Sequence, residues 1–228
     1  VRSVTDGSKK ITLRDIEKDE EVLEFLREAD KQLAAIGYTE HGLRHSQLVA
    51  KRAKEILLAL KFPKRKAELA AIAGFLHDIG NLINRERHEE NGALIALNIL
   101  KRLGMPLSEI SQIVSALGNH HEETGNVTSP IAAALILADK SDVHSSRVRN
   151  PDYIKFDIHD RVNYAVKESK LKVDGRGKRI TLSLTIDTKI APIMEYFEIF
   201  LSRMLISRRA ADFLGCQFEL FINQIKLI

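Results

Sequence analysis

The sequence predicts a mainly α chain in which a helical bundle is followed by a small α+β unit. Three observations predict it. Apolar residues recur at helical spacing from about Glu20 to His144, alternation replaces that spacing beyond Val148, and the break Arg149-Asn150-Pro151-Asp152 separates the two regimes. With 228 residues and 44 % apolar content, the chain can bury one full core and carry a small second unit. We therefore place an N-terminal extension at 1–18, a helical domain at 19–150 and an α+β domain at 151–228.

Each element has its own signal. Val22, Leu26, Ala29, Leu33 and Ile36 make one helix face that stops at Gly37, and Leu48, Val49, Ile56, Leu57 and Leu60 make another that runs out before Pro63. The run Leu69 to Leu76 carries no charge, so its helix is apolar all round and belongs in the middle of the bundle. A fourth helix runs from near His88 to Leu103 with Gly104 behind it, and a fifth from Ser108 to about Leu117. The sixth opens with Ser129 as N-cap and Pro130 at the first helical position, then runs from Ile131 to Asp139. Beyond the break, Asn163 to Val173 and Arg179 to Ile186 read as two strands around the turn Asp174-Gly175-Arg176-Gly177. An amphipathic helix from Ala191 to Phe213 and a last strand from Gln217 to Ile225 complete a ββαβ unit of about 70 residues.

Composition excludes several function classes. Neither end shows an apolar run of transmembrane length or a secretory leader, so we expect a cytoplasmic protein without membrane partners. The lone Cys216 rules out a disulfide framework within one chain and reads as a buried small hydrophobe. A formal net charge of +4 with interspersed signs is an ordinary surface that suits a phosphorylated ligand.

Six of the eight histidines fall between His41 and His121, beside helix ends or on helices around the apolar one. His77 and Asp78 end the most apolar helix, and Asp139 ends a second apolar run, where unpaired imidazole and carboxylate groups are costly to desolvate. A divalent cation resolves both problems, supplying positive charge to the carboxylates and taking the imidazole lone pairs. His41 and His45 are four apart and share a face if both lie on one helix.

His45, then His77-Asp78, then Asp139, within Leu76-His77-Asp78-Ile79-Gly80 and Leu137-Ala138-Asp139, resembles the H…HD…D signature of HD-superfamily phosphohydrolases. His88 and the pair His120-His121 are similar to the extra histidines of the two-metal members. The resemblance covers about half the chain and implies an HD-domain helical bundle, with Asp78 bridging two ions. His45, His77 and Asp139 complete one coordination sphere, and His88, His120 and His121 the other. Imidazole-rich ligation favours Mn, Fe, Co, Ni or Zn over Mg. The Gly-Tyr-Pro element of cyclic-di-GMP enzymes is absent after the histidine pair, Asn81 replaces the lysine that often follows His-Asp-x-Gly, and the Glu-Asp pair of alarmone hydrolases is missing.

The implied reaction is hydrolysis of a phosphomonoester or phosphodiester, of a nucleotide above all, by a metal-bound hydroxide, with either His41, as in related cyclic-nucleotide phosphodiesterases, or a water protonating the leaving oxygen. Lys140, Arg147 and Arg149 follow Asp139 closely enough to hold phosphate oxygens, or they form a solvated helix end that offsets the C-terminal dipole, and Asp142 either adds a ligand or pairs with one of these cations. Two alternatives stand beside the enzyme. The basic hairpin Lys170, Lys172, Arg176, Lys178 and Arg179 suits nucleic-acid ends, although few aromatics accompany it. A metal-containing regulatory module is the other, and the C-terminal unit offers a homodimer surface in either case.

Overall fold

The computed structural model describes residues 10–154 and 157–228. Of the expected N-terminal extension, residues 1–9 lie outside the described residues, whereas Ile11 and Ile16 are wholly buried. Helix α1 (Leu13–Ile16) opens with a capping box made by Thr12 and Asp15, and α2 (Glu20–Ala35) is capped by Asp19 and stops just before Gly37, whose φ of 84° an L side chain rarely adopts. Helices α3 (Leu43–Ala59), α4 (Lys64–Leu76), α5 (His88–Arg102), α6 (Leu107–Gly118) and α7 (Pro130–Lys140) complete the bundle. A single 3₁₀ turn, Ile79–Leu82, links α4 to the loop before α5.

The uncharged stretch of α4 does lie at the centre, and every residue from Leu69 to Leu76 is buried. Helix α7, capped by Ser129 through Ala132 N at 3.1 Å, is buried from Ile131 to Lys140 and lies beside α4. Helix α3 packs on both, and Gly74 lets it approach, since a Cβ there would sit 2.9 Å from the Ala50 backbone. Two apolar helices that cannot face water are thus enclosed by amphipathic ones, and their C-terminal ends deliver His77, Asp78 and Asp139 to one place.

Beyond the bundle the chain differs in detail from expectation. The segment read as the start of a strand at Asn163 is a helix, α8 (Ile158–Ala165), because the Asp157 side chain accepts from the amides of His159 and Asp160 and caps it. Strand β1 (Val166–Asp174) follows directly, then β2 (Arg179–Ile186), α9 (Ile193–Phe213) and β3 (Gln217–Ile222). The last strand stops short of Ile225, since Asn223 and Gln224 take left-handed conformations (φ 49° and 70°) and turn the chain back into a short β4 (Ile225–Lys226).

The sheet order is β1-β2-β3-β4, with an antiparallel pair at each side of a parallel β2–β3 pair that α9 connects. Alternate residues Ile180, Leu182 and Leu184 of β2 and Phe218, Leu220 and Ile222 of β3 are buried with Tyr196, Phe200 and Met204 of α9. Helix α9 also packs on α7, so buried apolar side chains run without interruption from the bundle into the sheet. Among the described residues no helix is long and apolar enough to cross a membrane.

Candidate metal centre

Close backbone packing brings the histidines together. Gly80, just past His77-Asp78, lies against the first turn of α5; a Cβ at Gly80 would sit 1.9 Å from the His88 carbonyl oxygen and 2.4 Å from Gly92 N. Only two facing glycines allow that approach, and it sets His88 beneath Asp78, Nε2 to Oδ1 at 3.6 Å. His120 and His121 arrive from the turn after α6, and His45 from the first turn of α3. His41 precedes that helix and does not share its face with His45, because Gly42 is the N-cap; the two rings are 5.6 Å apart.

Every imidazole in the inner group has one nitrogen committed. Nδ1–H of His77 donates to Gly74 O (2.9 Å), of His88 to Arg85 O (3.1 Å), of His120 to Leu117 O (2.6 Å) and of His45 to Asp142 Oδ2 (2.7 Å). Each acceptor fixes the tautomer, so in the neutral rings all four Nε2 atoms carry lone pairs. Those lone pairs face one another: His45 Nε2 lies 3.2 Å from His77 Nε2, and His88 Nε2 lies 3.3 Å from His120 Nε2. Asp78 sits between the pairs. Its Oδ2 is buried without a hydrogen-bond partner, 3.0 Å from His77 Nε2 and 3.5 Å from His45 Nε2, while Oδ1 accepts from Asn81 Nδ2 at 3.0 Å. Asp139 Oδ1 closes the group at 3.4 Å from His45 Nε2.

Ligand atoms of His45, His77 and Asp78, of His77, His120 and Asp139, and of Asp78, His88 and His120 each fall within 4.8 Å of one another. Six of the seven expected ligands therefore enter compact groups. His121 stands at their edge, its ring 5.3 Å from that of His88 and its Nδ1 buried without a partner. Imidazole nitrogens that converge on two carboxylates, one of them with a buried oxygen lacking a hydrogen-bond partner, form a donor set that fits divalent cations.

Electrostatics point the same way. Burial opposes a charge on His77, but Asp78 and Asp139 outweigh it and push its pKa up to about 10, so the pocket demands positive charge at that point. Burial, with Arg85 adding to it, pulls His88 down to about 3, leaving a neutral ring. Against burial, His77 holds the Asp78 carboxyl, and Lys140 the Asp139 carboxyl, well below the usual range.

The surrounding cations divide by role. Asp142 is an orienting group: besides His45 it receives Arg44 Nη2 at 2.9 Å and lies 3.9 Å from Arg147 Nε. Lys140 is buried, its ammonium 2.7 Å from Asp139 Oδ2 and 2.6 Å from Glu122 Oε2, and Glu122 in turn accepts from Arg203 Nε of α9 at 3.2 Å. Arg147 donates to Glu40 O and Asp142 O, yet its Nη2 is buried without an acceptor. Arg149 binds Asp30 and the Tyr38 carbonyl and so braces the loop before α3.

Beside the histidines opens a cavity of about 830 Å³, lined by His41, His88, His121, Arg85 and Arg147 on the bundle side and by residues of α8 and α9 on the other. The Glu122–Arg203 link and the α8 wall escaped sequence reasoning. Arg203 looks like any cation on an amphipathic helix, and no local pattern marks it.

Residues 42–144 match the family model for the HD domain. The chain is 26 % identical over 206 residues to an uncharacterised protein of Methanocaldococcus jannaschii, covering 80 % of this chain and 79 % of that one. It is 36 % identical over 105 residues to ribonuclease Y of Lawsonia intracellularis and 34 % over 102 residues to ribonuclease Y of Oceanobacillus iheyensis. The match spans only 18 % of the length of either ribonuclease Y. A solved structure of a predicted HD superfamily hydrolase from an uncultured Thermotogales bacterium is 29 % identical, with 55 % of this chain and 68 % of that one covered at a TM-score of 0.43. Residues 42–144, the stretch that matches the HD-domain model, bring the H…HD…D residues together at the start of α3 and the ends of α4 and α7.

Proposed function

We propose that the protein is a metal-dependent phosphohydrolase that cleaves a phosphomonoester or phosphodiester, with a nucleotide as the leading substrate class. The observation that carries this is the opposition of imidazole lone pairs at 3.2 and 3.3 Å about the buried Asp78 carboxylate. His45, His77, Asp78 and Asp139 would hold one divalent ion, and Asp78, His88, His120 and His121 a second. Ions bound there would lower the pKa of a coordinated water and neutralise charge on phosphoryl oxygens.

The chain's own residues supply the rest. Arg147 lines the cavity, and its Nη2 is buried without an acceptor, a role that a phosphoryl oxygen would fill. His41 donates Nδ1–H to Thr39 O at 2.7 Å, which leaves Nε2 an acceptor, while burial and then Arg147 hold its pKa well below the usual value. In this reading the ring would take a proton from the attacking water and return it to the leaving oxygen, acting as a shuttle. Lys140 supports the site through Asp139, and Arg149 has no part in this scheme.

Phosphate or alcohol release from nucleotide monoesters, cyclic nucleotides and aryl phosphodiesters in Mn²⁺, with Asp78→Ala in parallel, tests the proposal. Turnover that vanishes in the variant is expected; absence of turnover across several metals overturns it. The ribonuclease Y relatives favour an RNA phosphodiester as a second substrate, for which the exposed hairpin cations Lys170, Lys172, Arg176 and Lys178 would hold backbone phosphates.

A further inference from the structure

Two residues that line the cavity have opposite unmet needs. Near the histidines, Arg147 is 2 % exposed and its Nη2 lacks an acceptor. On α8, which packs against the turn that carries Arg147, Asn163 is 4 % exposed; its Nδ2 donates to His159 O at 2.8 Å, and its Oδ1, the other end of the amide, is buried without a donor. Asp157, Asp160 and Asn163 are spaced three apart on α8, and all three line the same cavity. Asp157 already uses Oδ1 to cap the helix, and burial together with Asp157 raises the Asp160 carboxyl. These groups accept hydrogen bonds.

We propose that this face of α8 is a specificity subsite that reads an amino group on the non-phosphate part of the substrate, with Asn163 Oδ1 as the principal acceptor. An amino group fits better than a hydroxyl because it carries at least two hydrogens and can satisfy Asn163 and a neighbouring carboxylate together, whereas a hydroxyl donates once. The substrate is then a phosphate ester whose phosphoryl group lies by Arg147 and whose remaining part carries an exocyclic amine or an alkylammonium. All of this rests on the hydrolase proposed above.

The test uses the full Mn²⁺-loaded chain and calorimetric binding of three matched pairs: guanosine and inosine 5′-monophosphates, adenosine and purine-riboside 5′-monophosphates, and 2-aminoethyl and ethyl phosphates. A polar site left unpaired rejects the ligand that lacks the matching donor, so in at least one pair the amino member binds about tenfold tighter or better. Asn163→Leu, close in volume, abolishes that preference with little change in the thermal midpoint, since the loss of the bond to His159 O is offset by the removal of a buried acceptor that has no partner in the free protein. Asp160→Asn abolishes the alkylammonium preference and spares those for neutral amines.

Equal affinity within all three pairs overturns the subsite, as does a preference that survives Asn163→Leu or no binding tighter than about 1 mM. Hydrolysis of 4-nitrophenyl phosphate and its bis ester, which carry no amine, reads the hydrolase separately. Turnover of those esters without amine preference leaves the hydrolase standing alone, and amine preference without turnover leaves only the subsite.

Discussion

Gly80→Ala separates the two halves of the metal centre. The added methyl would lie 1.9 Å from the His88 carbonyl oxygen and 2.4 Å from Gly92 N, both backbone atoms of α5 that cannot rotate aside. Ordinary contact requires about 3.5 Å, so the start of α5 must retreat by roughly 1.5 Å. His88 is the first residue of α5 and retreats with it, whereas metal–ligand bonds tolerate only about 0.2 Å. His45, His77 and Asp139 stand on α3, α4 and α7 and keep their places. We expect metal content by mass spectrometry to fall from near two ions per chain to near one. Overpacking costs about 1–3 kcal/mol. For a chain of this length that lowers the thermal midpoint by roughly 2–12 °C. Two retained ions with an unchanged midpoint would refute the reasoning, because α5 would then not be held against Gly80 by its backbone.

Other perturbations probe other links. Asp142→Asn keeps the shape of the group that orients His45 but weakens its pull on Nδ1–H, and metal affinity measured by chelator competition should drop about 10- to 100-fold. Arg203→Ala removes the cation that holds Glu122 toward Lys140, so the protein should lose metal faster during dialysis although Arg203 is remote in sequence from the HD domain. Glu68 accepts from Leu13 N at 2.7 Å and Lys54 Nζ at 2.6 Å; burial opposes its charge, and these two donors nonetheless lower its pKa. A lowered folded pKa means that the stabilisation is present above the unfolded value near 4.3 and is lost as pH falls through the folded one. Glu68→Gln should therefore cost about 1 kcal/mol at pH 7 in urea unfolding, with the gap closing in acid. A gap that persists unchanged at pH 3 would rule out the charge as its source.

The inner bundle was legible because solvent leaves strong marks on sequence. An uncharged run such as Leu69–Leu76 has nowhere to go but the centre, and polar groups at the end of such a run, His77 and Asp78, need a partner that the run itself cannot supply. Ser129-Pro130 named the start of α7 for equally local reasons. Helix α8 was missed because Val162, Tyr164 and Val166 alternate with polar residues as a strand would, while the signal against it, Asp157 as N-cap, is one residue among many acids. His41 resisted for a related reason, since the i, i+4 rule holds only inside a helix and Gly42 ends that helix between the two histidines. Partners such as Glu122 and Arg203 are 81 residues apart and leave no periodic trace at all.

The wall that α9 builds has a consequence in time. During synthesis, the ligand-bearing chain through Asp139 is made before Arg203, and the 64 residues from Lys140 through Arg203 take roughly 3 to 13 s to add. The parallel β2–β3 pair that anchors α9 forms later still, because its two strands meet only after the whole crossover exists. For those seconds the histidines of the nascent bundle stand open to solvent on the side that Arg203 and Phe200 later cover. An ion held by these residues would meet an open site then and a walled one once the crossover has docked, so the order of synthesis would favour loading over loss.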